Sequence, residues 1–137
     1  NLKWEWGMFG ENLTVSDLNE DEIHIGDIYE VGSALIQVTQ PRQPCYKLGI
    51  RLEDSSAVKE FVKEEKPGVY IRVLKAGKVK VGDSMKLIER KQKAMSIQHI
   101  FHLIYHAPQN IDRIKKAITI PELAESCKKD LIKYAKI

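Results

Sequence analysis

Ile23-His24-Ile25-Gly26-Asp27-Ile28-Tyr29-Glu30-Val31-Gly32-Ser33-Ala34-Leu35-Ile36-Gln37-Val38 is the stretch that decides the fold. Apolar and polar residues alternate from Ile23 to Tyr29, Gly32-Ser33 supplies a turn, and Ala34 to Val38 is a short apolar run. The segment therefore reads as strand, turn, strand. The pattern returns downstream. Gly68 to Leu74 carries Val, Tyr and Ile, Lys75-Ala76-Gly77 makes a turn, and Ser84 to Ile88 resumes the strand pattern. Val81-Gly82-Asp83 echoes Ile25-Gly26-Asp27. Two Gly-Asp turns, each leading into a strand, suggest a compact barrel-like β-structure whose corners use glycine at positive φ. Two unrelated turns are the plainer alternative.

Between these strand pairs Ser55 to Lys63 reads as a short helix, with Val58, Phe61 and Val62 on one face and Ser55 or Ser56 to cap it. After Lys93 the apolar period changes from two to 3.6. Ile97, Ile100, Phe101 and Ile104 share a helix face that Ser96 can cap, so a boundary is predicted between residues 1–93 and 94–137. Pro108, Asn110 and Asp112 start a second helix, and Thr119-Ile120-Pro121-Glu122 opens a third. In that last helix Leu123, Cys127, Leu131 and Tyr134 form one stripe, which makes Cys127 a core residue.

At 137 residues and 43% hydrophobic content the chain can build one core without disulfides. Its two cysteines, Cys45 and Cys127, give no secreted-type framework, so a reducing, cytoplasmic compartment is expected. No run approaches the roughly 18 apolar residues of a membrane span, and no export leader opens the sequence. Residues 1–93 hold 15 basic and 15 acidic side chains and residues 94–137 hold 7 and 4, so the whole net charge of +3 lies in the last third. That surplus is solubility chemistry, too small to imply nucleic acid. The chain begins at Asn1 and runs into Trp4, Trp6 and Phe9, which reads as a start within a longer protein.

Three sets of residues could carry chemistry. His99, His102 and His106, at i, i+3 and i+7, could share a metal, but they lie opposite the apolar face and no nearby carboxylate or cysteine pattern adds a ligand; a solvated face is expected. Gln40-Pro41-Arg42-Gln43-Pro44-Cys45-Tyr46-Lys47-Leu48 differs in kind. Its prolines stiffen a loop, and Arg42 and Lys47 would favour the Cys45 thiolate, as a nucleophile or as a soft metal ligand. A buried free cysteine in a Pro-rich loop is the alternative these residues leave open. In Phe9-Gly10-Glu11-Asn12-Leu13-Thr14, glycine permits close approach while Glu11, Asn12 and Thr14 offer mixed donors and acceptors suited to a heterocycle's edge, or to a self-satisfied turn.

Taken in order, Gly10 to Thr14, Ala34 to Leu48 and Gly68 to Leu74 resemble the MOSC domain in its bacterial YiiM-like branch, and Met95 to Ser126 resembles the three-helix extension of that branch. The resemblance covers nearly the whole chain. It implies a mainly β fold, a MOSC-type β-barrel incomplete at its N-terminus and followed by three helices. It also implies a molybdenum cofactor (molybdopterin), with Cys45 as the molybdenum ligand, Arg42 and Lys47 as phosphate-neutralising or supporting cations, and Asn12, Thr14 and Glu11 as pterin contacts. The activity implied is reduction of small N-hydroxylated compounds such as hydroxylamino purines. No dinucleotide fingerprint or iron–sulfur cysteine cluster supplies electrons, so a separate reductase partner is expected, and a homodimer is compatible with the sequence. A non-catalytic carrier of the cofactor or its sulfur is the alternative of another class.

Overall fold

A computed structural model describes residues 11–137. Trp4, Trp6, Phe9 and Gly10, singled out above, lie outside the described residues. Strands β1 (Ile28–Val31) and β2 (Ala34–Pro41) form an antiparallel hairpin in which Val31 faces Ala34 across Gly32-Ser33. Gly32 has φ +56°, and a Cβ there would lie 2.2 Å from the Lys78 carbonyl oxygen, so only glycine fits this turn. After helices α1 (Tyr46–Arg51) and α2 (Ala57–Glu64), strand β3 (Val69–Lys75) pairs with β2, and β4 (Met85–Glu89) pairs with β1. The sheet has the order β3-β2-β1-β4, is antiparallel throughout, and is open rather than closed into a barrel among the described residues.

The strand expected over 23–29 begins only at Ile28. Ile23 and Ile25 alternate because both enter the core, but their backbone meets the approach to a helix: Ile25 N–H donates to the Met95 carbonyl and Ile97 N–H to that of Ile23. The two Gly-Asp turns are the same device. Gly26 and Gly82 have φ +89° and +93°. Asp27 Oδ2 accepts from His24 N–H at 3.0 Å and Asp83 Oδ2 from Lys80 N–H at 2.9 Å, each three residues back, and β1 and β4 follow. β2 runs three residues past the predicted end at Val38, because β3 pairs with it as far as Pro41 and Val69.

Helix α3 (Ile97–Tyr105) is capped reciprocally: Ser96 Oγ accepts from His99 N–H, and His99 Nδ1 accepts from Ser96 N–H, both at 3.1 Å. Histidine here fills the place that Glu or Gln usually takes in a capping box. Asn110 caps α4 (Ile111–Ile118). α5 (Glu125–Ala135) starts later than the sequence predicts. Pro121 and Glu122 lie in a turn, and Ala124 N–H donates to the Thr39 carbonyl, fixing the helix start against β2.

α3 packs on β2, and one core runs through Ile25, Ile36, Val38, Ile97, Ile100 and Leu131. Burying such side chains stabilises by about 1.5–3 kcal/mol each. α1 and α2 enclose a smaller cluster of Leu48, Leu52 and Ala57, bridged toward the main core where the Phe61 and Phe101 rings stand 6.1 Å apart. The edge strands β3 and β4 leave Ile71, Val73, Leu87 and Ile88 exposed.

Candidate functional site

The loop from β2 to α1 is built by its prolines and its neighbours. Pro41 ends β2, Arg42 N–H donates to the Gly68 carbonyl at 3.1 Å, and Pro44 fixes φ one residue before Cys45. Cys45 is the N-cap of α1 in extended conformation (φ −134°, ψ 168°); its carbonyl accepts from Leu48 N–H and its thiol is exposed. The buried-cysteine alternative is thereby removed for Cys45.

Two cavities adjoin this loop. One, of about 400 Å³, has an apolar floor of Tyr29, Ile36, Val38 and Ile71, with Glu11, Asn12 and Arg42 in its wall. The other, of about 680 Å³, is walled by Leu48, Leu52 and Phe61 and by Thr14, Glu11 and Arg42. Both volumes fall within the few hundred Å³ typical of small-molecule sites. Glu11, Glu20, Arg42, Pro67 and Gly68 line both, so the cavities share a wall. In the larger one Glu11, Glu20, Asp54, Glu60 and Glu64 oppose Arg42 and Lys66, which leaves its rim net negative.

Of the six residues selected from sequence, the structure gathers Glu11, Asn12, Thr14 and Arg42 on these walls. Cys45 and Lys47 are exposed at the start of α1 and line neither cavity.

Sequence reasoning missed three arrangements. The first joins the cysteine loop to the helical extension: Gln43 Nε2 donates to Asp130 Oδ2 on α5 at 3.0 Å, and Tyr105 O–H on α3 donates to Gln43 Oε1 at 3.1 Å. Burial, then the neighbouring Tyr134 and Asp130, push the Tyr105 phenol up to about 12. The second is the fully buried Asp27 carboxylate, which accepts from His24 N–H, from Tyr29 O–H at 3.4 Å and from Arg90 through both oxygens at 3.0 Å. Hydrogen bonding to Asp27 raises the Arg90 pKa, while burial first and the Asp27 charge second raise that of Tyr29. Tyr29 in turn lines the smaller cavity.

The third corrects the reading of the histidines. His102 and His106 are exposed as expected, yet a carboxylate does reach them: Glu65, just past α2, has Oε1 at 2.6 Å from His102 Nδ1 and 3.4 Å from His106 Nε2. His106 Nε2 also lies 2.9 Å from the Val62 carbonyl. Among the described residues no group of three or more His, Cys, Asp or Glu is arranged to hold a metal ion. Only chain folding brings Glu65 near, so no local spacing could have signalled it.

Comparison with known proteins identifies the class. The MOSC domain model matches residues 1–86, and the model described as "YiiM-like, 3-alpha helix domain" matches residues 95–131. The chain belongs to the MOSC domain family, with the YiiM-like helical domain following. It is 36% identical over 125 residues to "Uncharacterized protein YflK" of Bacillus subtilis (strain 168), covering 91% of this chain and 57% of that protein. A protein named "Reductase" from Gibberella moniliformis is 30% identical over 119 residues, which are 86% of this chain and 21% of that protein. The crystal structure of YiiM from Geobacillus stearothermophilus superposes with a TM-score of 0.90 at 39% identity, over 96% of this chain and 67% of that one. The chain thus spans little more than half the length of YflK and a fifth of the fungal protein. No helix among the described residues is long and apolar enough to cross a membrane.

Proposed function

We propose that this chain carries the cofactor-binding part of a molybdenum-cofactor oxidoreductase that reduces N-hydroxylated compounds, hydroxylamino purines among them, with electrons from a separate reductase. One observation carries the reading: in a MOSC-family chain, the loop that ends in an accessible Cys45 also places Arg42 on the shared wall of two ligand-sized cavities. The donor set fits the group. A soft thiolate suits molybdenum, Arg42 suits a phosphate, and Asn12 and Thr14 offer the mixed donors and acceptors of a pterin edge, with Glu11 beside them and Lys47 as a further cation.

When bound, the cofactor supplies two-electron cleavage of the N–O bond, so that R–NHOH with two electrons and two protons gives R–NH₂ and water. The chain's own residues hold the cofactor and shape the approach. A neutral planar heterocycle suits the net-negative rim and the Phe61 wall of the larger cavity better than an anion would. The name of the fungal relative, "Reductase", agrees with this class of reaction. The cytoplasm is the compartment proposed, because both cysteines are free and stay reduced there.

The test is molybdenum and pterin content after expression in a host that makes the cofactor, wild type against Cys45→Ser. Molybdenum in the wild type and its loss in the variant is the expected result; a folded wild type without molybdenum removes the reading. A second reading, a carrier that passes on the cofactor or its sulfur, is favoured by the position of Cys45, exposed and outside both cavity walls. Turnover of an N-hydroxylated purine with a chemical reductant separates the two, since a carrier binds molybdenum without turnover.

A further inference from the structure

The segment 42–45 is short, and its course is set from two sides. Arg42 is held by its backbone to Gly68. Gln43 is held by its side chain, between Tyr105 on α3 and Asp130 on α5. The amide suits this place because one partner donates and the other accepts. Tyr105, its phenol pushed up to about 12, stays a donor throughout the ordinary pH range, and Asp130 accepts, so a glutamate or a methionine at 43 would leave at least one partner unmatched. Two further bonds fix the same helix to the same strand: Ser126 Oγ to Gln40 Oε1 at 3.4 Å and Ala124 N–H to the Thr39 carbonyl at 3.1 Å. Between Gln43 and Cys45 stands only Pro44, whose ring locks φ, so the direction set at Gln43 passes to Cys45 with little freedom.

We propose that Gln43 is a positioning residue for Cys45, and that through it the three-helix extension sets where the thiol meets its metal. The proposal rests on Cys45 as the molybdenum ligand. Gln43 itself touches neither metal nor substrate; it acts through the loop.

The experiment compares wild type with Gln43→Ala, Tyr105→Phe, Asp130→Ala and Asp130→Asn, all co-expressed with cofactor synthesis. Two quantities are read: amide hydrogen exchange of residues 42–49 by mass spectrometry, and molybdenum bound per chain with its rate of loss on dilution. Losing one such bond in Asp130→Ala should speed exchange in 42–49 and molybdenum loss by about tenfold, and losing both in Gln43→Ala by at least as much, with exchange across α3 and α5 unchanged. Asp130→Asn keeps an acceptor oxygen and should restore most of both. Unchanged exchange in 42–49 overturns the proposal, as does a loosened loop that holds molybdenum as firmly as wild type, for then the clamp is structural only. Wild type without molybdenum defeats the cofactor reading instead, and with it the role assigned to Gln43.

Discussion

Replacing Arg90 by leucine should be among the most damaging single changes outside the apolar core. Asp27 is fully buried, and of its four donor contacts among the described residues two come from the guanidinium, including the one made to Oδ1. Removing the cation strands a carboxylate that keeps, among the described residues, only His24 N–H and Tyr29 O–H, both on Oδ2. Breaking a buried pair from one side costs about 3–5 kcal/mol. Arg90 is 29% exposed, so water can partly replace it, and the lower end, about 3 kcal/mol, is the expected loss. For a chain of 137 residues that corresponds to a fall in Tm of roughly 10 °C. Urea titration of wild type, Arg90→Leu, Asp27→Asn and the double variant measures it. The double variant should lose clearly less than the sum of the singles, because neither partner is then left alone. A loss below about 1 kcal/mol in Arg90→Leu, or simple additivity, would refute the argument that this pair anchors the turn before β1.

The other predictions test separate features. Burial first, then Arg113, lowers the His99 pKa below its usual 6.5, so the unfolded chain takes up the proton more readily. This contribution to stability is whole above the unfolded value and is lost as pH falls through it toward the folded one. His99→Gln, which keeps a side-chain acceptor for the Ser96 cap, should therefore lose less Tm than wild type between pH 7 and pH 5; equal losses count against the assignment. Cys127 is fully buried and its thiol is pushed up to about 12, whereas Cys45 is exposed. A disulfide reagent should therefore modify Cys45 in the native protein and reach Cys127 only in denaturant, and fast native labelling of Cys127 would contradict the core placement. Gly77→Ala would put a Cβ 2.4 Å from the Ser33 carbonyl carbon and 2.5 Å from Ala34 N, so the loop before β4 must leave the β1–β2 turn. The expected cost is about 1–3 kcal/mol in chemical denaturation, and a neutral substitution would show the loop to be free there.

How much of this could be read in advance depended on whether the signal was local. The two Gly-Asp turns, the packing of Val58 and Phe61 on α2, the Ser96 cap, the helix start at Asn110 and the burial of Cys127 and Leu131 all lie within a few residues of what they determine, and the structure contains each of them; Leu123, by contrast, precedes α5, Tyr134 is exposed, and Ser56 makes no side-chain cap bond to α2. α1 escaped because six residues, with Gly49 among them, make too little of a period. The alternation at Ile23 to Ile25 resembles a strand because both isoleucines are buried and His24 makes one antiparallel bridge with Ser96, but the pairing stops there and the sheet begins only at Ile28. Of the residues singled out by chemistry and by resemblance, Glu11 and Arg42 line both cavities, Asn12 the smaller and Thr14 the larger, while Cys45 and Lys47 line neither. Gln43 was passed over, since its meaning comes from Tyr105 and Asp130, 62 and 87 residues away.

The order Arg42-Gln43 also has a geometric reason. In an extended segment successive side chains point to opposite sides. α3 packs on β2, and Ile36 and Val38 belong both to the core shared with α3 and to the floor of the smaller cavity. Past Pro41 the two neighbours diverge in this way, Arg42 reaching the cavity walls and Gln43 the helices. The loop can therefore present a cation to a ligand and a grip to the scaffold within two residues. A one-residue shift of register would exchange the two, turning the guanidinium toward Tyr105 and Asp130 and leaving the cavity walls with an amide in place of their cation.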